Sequence, residues 1–224
     1  MSNNTRPEID NHTTKLIVGL IAISLALLTN LFSTDTLPSI SSSYWQPEHT
    51  PRNIFVGFLF AIGAFLLSYN GKPERPLQMR LSKFGAFAAF CVALFPCNCD
   101  CEKIERVCGN EVFHPIVSMI HVGATVAMFV VIAVFCYFFF DAARSKGTVD
   151  SKIRSIIYLL CGIVIVMSII LLGLYKFDLI DVSYDSFTYL FENVALIAFG
   201  IAWLTASRKL PIISGSDRIP LFPM

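Results

Sequence analysis

Residues 114–140, "HPIVSMIHVGATVAMFVVIAVFCYFFF", decide the fold. The stretch contains no aspartate, glutamate, lysine or arginine, and most of its residues are aliphatic or aromatic. A helix needs about 20 apolar residues to cross the hydrocarbon core of a bilayer. Residues 114–140 are more than long enough, so they predict a transmembrane helix with length to spare for tilting.

The composition of the whole chain agrees with a membrane location. Of its 224 residues, 55% are hydrophobic and 15% are charged, and the mean hydropathy is +0.65. A soluble domain of this size cannot hide so much apolar surface, so lipid must be its main solvent. The net charge of +1 argues against a nucleic-acid partner.

Five further apolar segments complete an all-α, polytopic six-helix bundle. We predict a transmembrane domain at 15–207, preceded by a tail at 1–14 and followed by a tail at 208–224. The predicted spans are residues 15–33, 53–70, 81–97, 114–140, 153–175 and 187–206.

The charges of the loops predict the orientation of the bundle. Lysine and arginine concentrate in the second and fourth loops and in the carboxyl-terminal tail, whereas the other loops are acidic or mixed. Because basic loops stay on the cytoplasmic side, both termini are expected in the cytoplasm. The loop at 97–108 then faces the non-cytoplasmic side of a bacterial inner membrane, or of a eukaryotic endomembrane or plasma membrane.

Four cysteines lie in that loop: Cys97, Cys99, Cys101 and Cys108. In an oxidising compartment they predict disulfides, and Cys108 is the easiest partner because bridges between cysteines two residues apart are strained. The alternative is a zinc or copper site built from Cys97, Cys99, Cys101 and His114. The compartment favours disulfides, so no metal or other cofactor is the preferred expectation.

Polar groups inside the spans predict a functional site, because ionisable residues in a membrane are costly. His114, Ser118 and His121 share one helical face, and Glu192 begins the sixth span beside Asn193. These groups are expected at a similar depth, where they form a pocket open to the non-cytoplasmic side. The residues predicted to bind a ligand are Ser39, Tyr44, Arg52, His114, Ser118 and Asn193.

The favoured function is binding of a lipid or small amphiphile, which would assist lipid remodelling. The alternative is an intramembrane lipid hydrolase in which His121 is the base, Glu192 orients it and Ser41 is the outer-loop serine. A structural pairing of His121 with Glu192 is equally compatible with the sequence, so enzyme status stays open. A small transporter or metal-handling permease is the third hypothesis. Membrane lipid is the expected partner, with a homo-oligomer or a membrane-protein partner left open.

Glycines and aromatic residues in the spans carry structural predictions. Five glycines are expected where helices approach closely, and five aromatic residues near span ends are expected as interfacial anchors. The glycines are Gly57, Gly63, Gly123, Gly162 and Gly200. The anchors are Tyr44, Trp45, Tyr69, Tyr175 and Trp203.

Three segments carry a family resemblance: "LPSISSSYWQPEHTPRNIFVGFLFAIGAFLLSYNG" (37–71), "VALFP" (92–96) and "FENVALIAFGIAWLTASRKL" (191–210). Together they resemble a group of bacterial six-span membrane proteins of unknown function. They are more distantly similar to the Frag/DRAM family, which includes the GPI-anchor lipid-remodelling factor. The resemblance implies six spans and a functional face at the first outer loop, but nothing about the cysteines, which depart from the bacterial pattern. Its motif residues are Pro38, Ser39, Ser41, Tyr44, Pro51, Arg52, Gly57, Tyr69, Pro96, Glu192, Phe199 and Trp203.

Overall fold

The computed structural model describes residues 11–34, 36–71, 75–98, 115–182, 184 and 186–209. All six α-helices in these ranges are long and apolar enough to cross a membrane. The prediction of an all-helical, multi-pass membrane protein with six spans is therefore confirmed. The helices are α1 (Asn11–Leu31), α2 (His49–Ser68), α3 (Pro76–Leu94), α4 (Pro115–Arg144), α5 (Val149–Lys176) and α6 (Phe187–Ser207).

The six helices form a closed ring. Each helix packs against the next one in the chain, and α6 returns to pack along α1. Because consecutive spans run in opposite directions, the start of α2, α4 and α6 and the end of α1, α3 and α5 lie at the same end of the bundle. We call it the first-loop end, since it carries residues 32–48. This arrangement brings parts of the chain that are distant in sequence next to one another.

Local signals at the helix ends explain several boundaries. Pro76 opens α3, where its missing N–H has no intrahelical partner to lose. Thr148 caps α5 because its hydroxyl accepts the N–H of Ser151 at 3.3 Å. Gly147, with φ of 73°, supplies the left-handed turn between α4 and α5. Arg208 takes a similar conformation directly after α6.

An aromatic cluster fills the half of the bundle away from the first-loop end. The ring of Trp203 lies 5.4–5.9 Å, centroid to centroid, from four others, and its side chain is 0% exposed. Tyr69 is 2% exposed. The prediction of interfacial anchors is thus wrong for Tyr69 and Trp203, because both rings point into the bundle. The rings around Trp203 belong to Tyr69, Phe135, Phe139 and Phe199.

Only some of the predicted glycines lie at close helix contacts. A Cβ atom built on Gly200 would lie 2.9 Å from the carbonyl oxygen of Gly19, so α1 and α6 approach there backbone to backbone. Gly63 also lies at a close contact, because a Cβ atom built there would overlap the side-chain ring of Phe90. Gly57 and Gly123 have nothing within 4 Å of such a Cβ, so the prediction is wrong for these two.

Candidate functional site

A short 3₁₀ helix, Ser41–Trp45, folds back onto the first-loop end of the bundle. Its serine side chains are buried and hydrogen-bond locally: the hydroxyl of Ser43 donates to the carbonyl of Ile40 at 2.6 Å. The N–H of Tyr189 in α6 donates to the carbonyl of Pro38 at 2.9 Å. The connection between α1 and α2 is therefore fixed to α6.

Glu192 holds the start of this 3₁₀ helix. Its Oε2 accepts the N–H of Ile40, the residue that precedes the 3₁₀ helix, at 2.6 Å. The first N–H groups of a helix lack intrahelical partners, so a carboxylate there satisfies them as a capping residue does. Glu192 lies 152 positions after Ile40 in the chain.

His121 projects from α4 and is 3% exposed. Its Nδ1 lies 2.6 Å from the carbonyl oxygen of Phe95, which follows α3. A carbonyl can only accept, so the hydrogen must sit on Nδ1, and Nε2 of the neutral ring then carries a lone pair. The structure places no hydrogen-bond partner on Nε2 among the residues it describes.

A cavity of about 30 Å³ lies beneath the 3₁₀ helix. This volume suits one or two water-sized groups. Its polar lining consists of Ser41, His121, Thr125 and Glu192. Its apolar lining consists of Leu25, Ile40, Phe55, Leu59, Val92, Met128, Phe129 and Leu196.

The cavity brings together the three residues predicted as catalytic, Ser41, His121 and Glu192. They do not form the predicted histidine–glutamate pair, since His121 bonds to the carbonyl of Phe95 and Glu192 to the N–H of Ile40. The sequence reasoning missed Thr125, which lies one helical turn after His121. Helical spacing from His121 would have indicated it.

None of the described residues that were predicted to bind a ligand is on the lining of the cavity. Arg52 donates to the hydroxyl of Tyr44 at 2.8 Å and stacks over its ring at 4.1 Å. Asn193 donates to the hydroxyl of Tyr189 at 3.0 Å, towards α1 rather than the cavity. Ser39 lies 3.4 Å from the hydroxyl oxygen of Ser41. Ser118 is buried one turn before His121, and His114 lies outside the described residues.

Cys97 packs beneath the 3₁₀ helix as a free thiol. Its carbonyl accepts the indole N–H of Trp45 at 3.0 Å. Burial raises the pKa of the Cys97 thiol to about 12, and the nearby carboxylate of Glu192 adds to the rise. The thiolate is the reactive form of cysteine, so Cys97 is a poor nucleophile here.

The predicted disulfides and the alternative metal site depend mostly on undescribed residues. Cys99, Cys101, Cys108 and His114 all lie outside the described ranges. Within those ranges, no three histidine, cysteine or acidic side chains gather in a way that could hold a metal ion. The free thiol of Cys97 does not support the predicted disulfide at that residue, whereas a disulfide among the other three cysteines and the metal site stay predictions.

Comparison of the chain with family models, curated proteins and solved structures finds no match. The resemblance to bacterial six-span proteins and to the Frag/DRAM family stays a prediction, and the case for a function rests on the cavity.

Proposed function

We propose that this membrane protein binds the polar head of an amphiphile in the cavity beneath its 3₁₀ helix. The observation that carries the proposal is the lining, in which four polar side chains converge within an otherwise aliphatic and aromatic wall. A polar group among spanning helices costs free energy unless it is hydrogen-bonded or functional. A few convergent polar groups in an apolar cavity are typical of ligand sites.

The size of the cavity limits what enters it. Sites that enclose a drug-sized molecule measure about 300–1,000 Å³, whereas this cavity measures about 30 Å³. The proposal is therefore that a small head group enters, while the hydrocarbon tail stays among the helices and lipids. The protein would then hold an amphiphile by its head, in keeping with a role beside lipid remodelling.

The test is identification of the bound amphiphile. We expect protein purified in mild detergent to retain a lipid or lipid fragment that native mass spectrometry detects. His121→Phe keeps a planar ring but removes the imidazole nitrogens, so retention should fall at least about tenfold, the equivalent of one lost hydrogen bond to a buried group. Ser168→Ala is the matched control, because the Ser168 hydroxyl bonds within its own helix, α5, which does not line the cavity. Retention by His121→Phe equal to wild type, or a wild type without any amphiphile, would contradict the proposal.

A second candidate function, lipid hydrolysis, is favoured by one observation. The bond from Nδ1 of His121 to Phe95 leaves Nε2 available as a base in the same cavity as Ser41. The role of Glu192 differs from the predicted one, since its carboxylate accepts the N–H of Ile40 instead of orienting His121. Turnover of a lipid ester that Ser41→Ala abolishes would favour this candidate over binding alone.

We also propose that the first-loop end faces the non-cytoplasmic side, with both termini in the cytoplasm. The support is the basic character of the loops at the opposite end. Asn98 is exposed at the first-loop end and directly follows Cys97, so Asn98→Cys offers a reporter of sidedness. In a chain whose native cysteines are replaced by alanine, an impermeant maleimide added outside intact cells should label it.

Cys97 provides the internal control for this labelling. A thiol with a pKa near 12 holds about a thousandfold less thiolate at pH 8 than an ordinary cysteine, and labelling follows the thiolate. A chain that keeps only Cys97 should thus react much more slowly than one that keeps only the cysteine at 98. If position 98 reacts only after the membrane is permeabilised, the orientation is wrong. If Cys97 reacts as fast as position 98, its thiol is accessible and not buried.

A further inference from the structure

The hydrogen bonds at the cavity show which chemistry its ligand needs. The hydroxyl of Thr125 donates to the carbonyl of His121 at 2.9 Å, and Nδ1–H of His121 donates to Phe95. The hydroxyl of Ser41 lies 3.4 Å from the hydroxyl of Ser39, within hydrogen-bond distance. The polar hydrogens of the Thr125 and His121 side chains thus have partners within the protein, and the Ser41 hydroxyl has one within reach.

The lining still offers positions that can accept hydrogen bonds from a ligand. Nε2 of His121 presents a lone pair, because the hydrogen of the neutral ring is on Nδ1. The carboxyl group of Glu192 also has acceptor positions, one of which the N–H of Ile40 occupies. The oxygen of Thr125 retains acceptor positions besides the hydrogen it donates. A ligand that brings hydrogen-bond donors can therefore pair with the lining at several points.

From this inventory we infer that the cavity selects amphiphiles whose head donates hydrogen bonds, namely a hydroxyl or a protonated amine. The inference rests on the proposed binding function and names its ligand class. A hydroxyl or ammonium head fits a cavity of about 30 Å³ and donates to His121 Nε2 and the Glu192 carboxylate. An ester head offers acceptors alone, and so does an ionised carboxylate head. Sites built to pair a hydroxyl reject analogues that lack it far more strongly than sites that discriminate by shape.

Four probes with one chain length test the inference: dodecan-1-ol, dodecylamine, methyl dodecanoate and dodecanoate. Each is titrated into the full-length protein in detergent micelles, and bound probe is measured by native mass spectrometry. We expect dodecanol, dodecylamine or both to bind at least about tenfold more tightly than the ester and the carboxylate. Preference for dodecylamine alone would assign the main contact to the charge of Glu192, and equal binding of the two donors would assign it to hydrogen bonding.

Two results overturn the inference in distinguishable ways. If the ester or the carboxylate binds as tightly as the donor probes, the head-group class is wrong while binding itself stands. If none of the four probes binds above the level of empty micelles, the proposed function fails together with the inference.

Variants show whether the preference arises at the cavity. Thr125→Val keeps the shape of the side chain and removes its oxygen, so it tests the site without opening a hole. We expect both cavity variants, Thr125→Val and His121→Phe, to reduce the ratio of donor-probe affinity to ester affinity. The reduction should be about tenfold for His121→Phe. Ser168→Ala should leave the ratio unchanged. A loss of folding alone would weaken all four probes together, so an unchanged ratio in both cavity variants would contradict the assignment.

Discussion

Replacing Trp203 with alanine is expected to lower the free energy of unfolding by about 3–5 kcal/mol. The side chain is fully buried, and four aromatic rings lie within 5.9 Å of its ring, centroid to centroid. Between helices in lipid, packing contributes much of the stability because burial from water adds little. Alanine would leave a cavity at the point where α2, α4 and α6 meet. Unfolding in mixed micelles, followed by circular dichroism, measures the loss.

Trp203→Phe is the control that separates packing from hydrogen bonding. Within the described part of the chain the indole N–H of Trp203 has no hydrogen-bond partner, so phenylalanine removes a buried donor that gains nothing from folding. We expect Trp203→Phe to cost about 1 kcal/mol, well below the alanine variant. If both variants cost the same, the indole N–H is bonded and packing is not the main contribution.

Replacing Gly200 with valine is expected to lower the free energy of unfolding by about 3 kcal/mol, because it forces α1 and α6 apart. Even its Cβ atom would overlap Ile23 and lie 2.9 Å from the carbonyl oxygen of Gly19, which is backbone and cannot turn away as a side chain can. Gly19→Val should act in the same way, since its Cβ would lie 2.9 Å from the carbonyl oxygen of Gly200. Because α6 closes the ring on α1, the whole bundle depends on this contact.

Gly123→Val is the matched control for the α1–α6 contact. Gly123 is also a glycine within a spanning helix, but a Cβ built there has nothing within 4 Å. Its replacement should change the unfolding free energy by no more than about 0.5 kcal/mol. The same mixed-micelle unfolding compares the variants, and equal losses at positions 123 and 200 would show that helix propensity rather than close approach governs the effect.

Part of the candidate site was predictable from residue types. His121 and Glu192 stand out because ionisable groups are rare in spanning segments. Ser41 was predicted as the serine of the first outer loop, and all three residues line the cavity. Their partners were not predictable, since Glu192 bonds to the backbone of Ile40 and His121 to that of Phe95. Backbone groups look alike in a sequence, so no residue pattern identifies which of them a side chain will reach.

The sequence by itself determined that the chain is helical and crosses the membrane six times. A spanning segment must satisfy its backbone hydrogen bonds within itself, so each span follows from the length and hydropathy of its own residues. Tertiary structure alone decided which helix face points inward. Lipid is as apolar as the interior of the bundle, so hydropathy does not distinguish the two faces. For that reason Gly200 and Gly123 look equivalent in the sequence, as do the expected anchors Trp203 and Tyr175, and only the packing of distant helices separates them.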